Sequence, residues 1–90
     1  MHWFDMRLKE VSYVGDYRVH VCYAGALEAD IDLSDMLEHP FYAPLKDPQL
    51  FAQVTVNPEV HVLEWPGEID VAPEITFERA CKAAGVHYAP

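Results

Sequence analysis

The residues best suited to chemistry in this sequence are a histidine and a cysteine two positions apart, followed closely by acids. His20 and Cys22 alternate with apolar residues, so they share one face of a predicted strand. Glu28 and Asp30 occupy one face of the next predicted strand and would add oxygen ligands for a metal ion. The spacing differs from the usual zinc motifs, and a solvated strand face explains it more simply. We therefore predict no bound metal and no cofactor.

Groups for other kinds of catalysis are sparse. The carboxylates of Glu28, Asp30 and Asp32 would serve general acid–base catalysis only in a pocket that perturbs their pKa values. The serines lie outside any Gly-x-Ser-x-Gly elbow, and the four glycines form no phosphate-binding loop. Cys81 falls on an apolar helix stripe, which is typical of a core position. The sequence thus predicts a protein that is not an enzyme.

Aromatic residues beside prolines form a second candidate surface. They are Phe41, Tyr42, Trp65 and Pro66. An exposed patch of this kind marks an interface, whereas the same residues buried would cover one end of the core. The sequence leaves both alternatives open.

Three alternating segments, residues 8–14, 17–23 and 27–33, are predicted to be the strands that position His20 and Cys22. A three-residue loop, Ala24–Ala26, would pair Tyr23 with Leu27. The same register sets Arg18 opposite Asp32, His20 opposite Asp30 and Cys22 near Glu28. We expect an acidic outer face with matched basic groups.

The register of the first hairpin allows two alternatives. A two-residue loop at Gly15-Asp16 would turn Glu10 toward the core, whereas a three-residue loop would turn Val11 and Tyr13 inward. We favour the longer loop, because burying Glu10 without a partner would cost several kcal/mol.

The second half of the chain predicts short elements around prolines. Ser34 is expected to cap a helical turn, and Asp47 to cap a helix that begins at Pro48 and ends near Ala52. Residues 53–56 and 61–65 read as two more strands. A last helix should begin at Pro73 and end at Gly85, with an apolar stripe of Ile75, Phe77, Ala80, Cys81 and Ala84.

These elements predict an α+β fold: a small, mostly antiparallel sheet of about five strands, with one or two helices packed on one face. At 90 residues and 51% hydrophobic content, the chain is expected to form a single domain over residues 1–90.

The charge balance excludes some classes of partner. Fifteen acids against six Lys and Arg give a net charge of -9, and the basic residues are scattered. We therefore expect no direct binding to nucleic acid and no attachment to an anionic membrane. A basic protein partner is compatible with this charge, although solubility alone also explains it. Two cysteines, no secretory leader and no long apolar run predict a cytoplasmic protein.

Several short motifs together resemble a known family. They are Asp16-Tyr17-Arg18, Asp32-Leu33-Ser34, the run Pro44 to Pro48 with Leu50-Phe51 and Val54, Glu64-Trp65-Pro66, and Ile69 to Glu74. The combination is similar to the small bacterial family named domain of unknown function 2442, over about residues 8–80. The loop Ala24–Ala26 departs from the acidic residue and glycine that members often carry there.

The resemblance implies an α+β fold with a small antiparallel sheet and no established activity. Members are often encoded beside small toxin-like proteins, which implies an antitoxin role. Some relatives carry an added helix-turn-helix domain, for which this chain is expected to have no room.

The functional prediction is a non-catalytic protein-binding module, an antitoxin-like or regulatory partner of a small basic protein. The predicted contact residues are Glu28, Asp30, Asp32, Trp65 and Pro66. A self-associating domain, for example a homodimer, is the first alternative, because an edge strand offers a pairing surface. A small enzyme or metal protein is the second alternative.

Overall fold

The strands form two small sheets in the computed structural model, which describes residues 7–86. The first sheet contains β1 (Leu8–Gly15), β2 (Arg18–Tyr23) and β3 (Glu28–Asp32), in that order. The second contains β4 (Thr55–Val56), β5 (Leu63–Trp65) and β6 (Ile69–Asp70). Two 3-10 helices (Ser34–Glu38 and Pro40–Lys46) and the helices α1 (Pro48–Phe51) and α2 (Pro73–Ala84) complete the elements.

The fold is therefore α+β, but the expected single sheet of five strands is wrong. All strand pairs in the described region are antiparallel, and β1 contacts β4 without a backbone ladder between them. The two 3-10 helices and α1 separate β3 from β4 along the chain, and the prolines in them prevent a continuous strand. The two-residue strand β6 was missed, because two residues show no alternation.

The second hairpin has the predicted register. Arg18 lies opposite Asp32, His20 opposite Asp30, and Cys22 opposite Glu28. The loop closes with the Tyr23 amide donating to the Leu27 carbonyl at 2.8 Å. Its last residue, Ala26, takes a left-handed φ of 68°, as three-residue hairpin loops require at that position.

The first hairpin turns Val11 and Tyr13 toward the core, as favoured, by a different loop. Val11 pairs with Val21 and Tyr13 with Val19. The register then shifts before Gly15 pairs with Arg18, which leaves Asp16 and Tyr17 as a two-residue loop with φ values of 53° and 60°. A bulge in β1 thus provides the extra residue that the sequence argument assigned to the loop.

The helix ends follow the sequence with one exception. The Asp47 side chain accepts from the Gln49 amide at 2.9 Å, and α1 ends at its predicted place. Ser34 does not cap the first 3-10 helix; instead its amide donates to the Asp32 carboxylate at 2.8 Å. The α-helical hydrogen-bonding pattern of α2 ends at Gly85, whose φ is 72°.

The core lies between the first sheet, α2, α1 and the buried side chains of the second sheet. Phe51, Phe77 and Val19 are fully buried, and Ala80 and Cys81 pack with them. The predicted stripe on α2 was too wide, because Ile75 is 41% exposed and Ala84 is exposed as well. Within residues 7–86, none of the helices has the length and apolar character needed to cross a membrane.

Candidate functional site

The outer face of the first sheet carries most of the candidate residues. Two rows run across its three strands: Glu10, Cys22 and Glu28 in one, and Ser12, His20 and Asp30 in the other. Alternation places these side chains opposite the buried valines of β2. We call the carboxylates of Glu10, Glu28, Asp30 and Asp32 the acidic face; all four residues are exposed.

His20 lies at the centre of this face between two carboxylates. Its Nδ1 is 2.6 Å from Asp30 Oδ1, and its Nε2 is 3.0 Å from Glu28 Oε1. The hydrogen bond to Asp30, and next the one to Glu28, raise the pKa of His20 above its usual value. The predicted cross-strand partners are therefore in direct contact, and His20 neutralises part of the acidic face when protonated.

Cys22 lies next to the same carboxylate. Its Sγ donates to Glu28 Oε1 at 3.7 Å. Partial desolvation, followed by the charges of Glu28 and Glu10, raises the pKa of the Cys22 thiol. A ligating atom from each of His20, Cys22 and Glu28 lies within 4.8 Å of the other two. Because its pKa is raised, the Cys22 thiol is protonated at neutral pH in the absence of a metal ion.

Asp32 has a structural task at the edge of the acidic face. Its hydrogen bonds with Ser34 hold the pKa of Asp32 below its usual value. The Asp32 carbonyl accepts from Arg79 Nη1 at 2.9 Å. The two guanidinium nitrogens of Arg79 also donate to the two carboxylate oxygens of Asp35, at 2.7 and 2.8 Å. This contact joins α2 to the chain that follows β3.

Arg79 was missed by the sequence argument. The sequence feature that could have indicated it is a basic residue placed between Phe77 and Ala80, next to the buried stripe of α2. In the structure Arg79 is half-buried. Together with Arg18 and Lys82 it lines an open groove between β3 and α2, whose acids are Asp30, Asp32, Asp35 and Glu78. Three basic groups offset all but one of the four acids in this groove, so it adds little to the acidic face.

The second candidate surface separates into buried and exposed parts. Trp65 is only 3% exposed, and its indole N–H donates to the Phe51 carbonyl at 2.9 Å. Tyr42 is half-buried and donates to the Asp70 carbonyl, whereas Phe41 is 47% exposed. Pro66 lies exposed in the loop after β5. The Trp65 ring therefore covers core, and a partner would reach Pro66 but not that ring.

Comparison with known proteins places the chain in a family. The model of the family described as protein of unknown function, DUF2442, matches residues 8–80. The chain belongs to the DUF2442 family. The match covers both sheets and most of α2, and it confirms the family resemblance over residues 8–80.

A solved structure shows the same fold. The crystal structure of a protein from Nitrosomonas europaea ATCC 19718, named there as a putative DNA binding protein, superimposes on this DUF2442 chain with a TM-score of 0.78 at 24% identity. The match covers 94% of this chain and 56% of that protein, so this chain spans little more than half of its length. No curated protein sequence matches this DUF2442 chain.

Proposed function

We propose that this DUF2442 chain is a non-catalytic, cytoplasmic protein-binding module whose acidic face contacts a small basic protein in an antitoxin-like or regulatory pair. The observation that supports the proposal most is the exposure of the carboxylates: the side chains of Glu28 and Asp30 are 62% and 51% exposed. Charge complementarity with a basic surface would speed association and suppress wrong partners.

The acidic face is suited to a protein rather than to a nucleic acid. The chain has fifteen acids and six Lys and Arg, so a phosphate backbone would be repelled. The name 'putative DNA binding protein' applies to the whole Nitrosomonas chain, and the present chain covers 56% of it. We propose that the present chain does not contact DNA itself, and fluorescence anisotropy with a random-sequence duplex at low salt tests this. Saturable binding would contradict it.

The partner proposal is tested by co-expression with the product of the adjacent gene, followed by titration of the purified pair in a chelator. A triple variant, Glu10→Gln, Glu28→Gln and Asp30→Asn, removes three charges from the acidic face while Asp32 keeps its contact with Ser34. The matched control removes three exposed charges elsewhere, at Glu38, Glu59 and Glu68.

We expect the first triple variant to weaken the complex at least tenfold and the control to weaken it less than twofold. Equal weakening would mean that net charge alone matters, and absence of a complex would reject this partner. The self-association alternative rests on the outer strands of the first sheet, β1 and β3, each of which pairs with β2 alone. Light scattering of the chain alone tests it: a dimer would favour the alternative.

A further inference from the structure

The acidic face contains a set of donor atoms that shares Glu28 with the proposed partner surface and adds His20 and Cys22 to it. His20 Nε2 lies 3.0 Å from Glu28 Oε1, and Cys22 Sγ lies 3.7 Å from the same oxygen. Around a tetrahedral zinc ion, bonds of about 2.0–2.3 Å place neighbouring ligand atoms about 3.3–3.7 Å apart. These two separations are within a few tenths of an ångström of that geometry, and the donor atoms of His20 and Cys22 lie within 4.8 Å of each other.

The backbone that carries these donors is well fixed. His20 and Cys22 lie on β2, the central strand of the first sheet, on either side of the fully buried Val21. Glu28 is the direct cross-strand partner of Cys22. Facing residues on paired strands have Cβ atoms about 4.5–5.5 Å apart, so Cys22 and Glu28 stay close whatever rotamers they take. His20 is the diagonal neighbour of Glu28, at about 7–8 Å, a distance that long side chains span.

A fourth residue orients the imidazole. Asp30 Oδ1 lies 2.6 Å from His20 Nδ1, which leaves Nε2 directed toward Cys22 and Glu28. Metal-binding histidines commonly donate their second ring N–H to a carboxylate, which fixes the tautomer and raises the basicity of the ligand. Asp30 is thus a positioning residue: it contacts the second ring nitrogen of His20 and is not one of the three ligating residues.

We propose that His20, Cys22 and Glu28 bind a divalent transition-metal ion of the zinc type, with Asp30 orienting His20 and a coordination position left open to solvent. Thiolate and imidazole donors favour zinc or cobalt over magnesium or calcium. Binding transfers the thiol proton of Cys22, and any proton on His20 Nε2, to solvent. The sequence argument weighed these same residues and predicted no metal, because their spacing differs from the usual zinc motifs; the distances between the donor atoms are what the structure adds.

The test is a titration of the reduced, full-length chain with Co²⁺, followed by displacement with Zn²⁺. We expect a thiolate-to-cobalt charge-transfer band and tetrahedral visible bands, both removed by Zn²⁺. Cys22→Ser should abolish the charge-transfer band. Glu28→Gln and Asp30→Asn should each weaken binding about tenfold or more. Circular dichroism checks the fold of each variant, and these positions are at the surface.

The second cysteine provides the matched control. Cys81 is 2% exposed in the core, so Cys81→Ala should keep the charge-transfer band and the affinity of the parent chain. A band that persists in Cys22→Ser, or one lost in folded Cys81→Ala, would overturn the proposal. So would the absence of any band from the folded parent chain at millimolar Co²⁺. The partner titration in chelator is independent of this result.

Discussion

The first and second sheets of this molecule are stabilised in different ways. The first has strands of eight, six and five residues, held by long backbone ladders with irregularities only between β1 and β2. The second has strands of two, three and two residues, too short to support one another by pairing alone. Side-chain hydrogen bonds further stabilise the second sheet. Trp65 donates to the Phe51 carbonyl, and the Asn57 carboxamide oxygen accepts from two backbone amides.

The second sheet therefore depends on a few buried or hydrogen-bonded side chains, whereas the first depends on the alternation of apolar and polar residues along its strands. The largest expected effect follows from Trp65. Trp65→Ala should destabilise the chain by about 3–5 kcal/mol, because it creates a cavity and removes the hydrogen bond to Phe51. Urea unfolding followed by circular dichroism measures the change.

Phe77→Ala is the matched variant on the side of the first sheet, because Phe77 is fully buried beneath Tyr23. If both sheets unfold as one unit, the two variants should lose similar stability with the same dependence on urea. A loss below about 1 kcal/mol for Trp65→Ala would break the comparison, because it would show that the second sheet unfolds separately from the core.

The next effect concerns Asn57. Its Oδ1 accepts from the amides of Glu59 and Val60 at 2.8 and 3.1 Å, and its Nδ2 donates to Glu64 at 3.1 Å. Asn57→Ala should lower the free energy of unfolding by about 1 kcal/mol. The loss is modest because Glu59 and Val60 are exposed, so water can accept from their amides instead. Asn57→Asp keeps the acceptor and should lose less. An alanine variant as stable as the parent would show that this turn does not stabilise the second sheet.

The same difference explains how much the sequence could predict. Alternation over five or more residues indicated the parity of β2 and β3, and parity together with the three-residue loop placed His20 beside Asp30 and Cys22 beside Glu28. The second sheet lacks such a pattern: the burial of Trp65 depends on α1, and β6 is two residues long. Residues of the candidate site were therefore predictable, whereas their convergence on one oxygen of Glu28 depended on rotamers.

Arg79 provides a smaller test, in which the pH dependence of stability separates the ion pair of Arg79 with Asp35 from the packing of the arginine stem. Arg79→Gln should cost about 0.5–1 kcal/mol at pH 7, a modest value because the Asp35 side chain is 68% exposed and screened by solvent. Arg79 lowers the pKa of Asp35, so the stabilisation is complete above the unfolded pKa of about 3.9. It is lost as the pH falls through the lower folded pKa.

The difference in urea midpoint between the parent chain and Arg79→Gln should therefore shrink below about pH 4. Lys46→Gln, which removes an exposed positive charge outside this groove, is the control and should show no such dependence. A gap between parent and Arg79→Gln that stays constant into acid would assign the effect to packing of the arginine stem rather than to its ion pair with Asp35.

The smallest expected effect compares one loop from each sheet. Both three-residue loops end on a left-handed residue, Ala26 at φ 68° before Leu27 and Glu68 at φ 62° before Ile69. A non-glycine residue in this conformation destabilises the fold by about 1–2 kcal/mol. Glycine removes that strain, but its greater freedom in the unfolded chain offsets about 0.5–1 kcal/mol of the improvement. Ala26→Gly and Glu68→Gly should therefore each stabilise the chain by about 0.5 kcal/mol, measured by thermal unfolding. If only Ala26→Gly stabilises, the β5–β6 loop is not held in the left-handed conformation in solution, and the second sheet is the looser one.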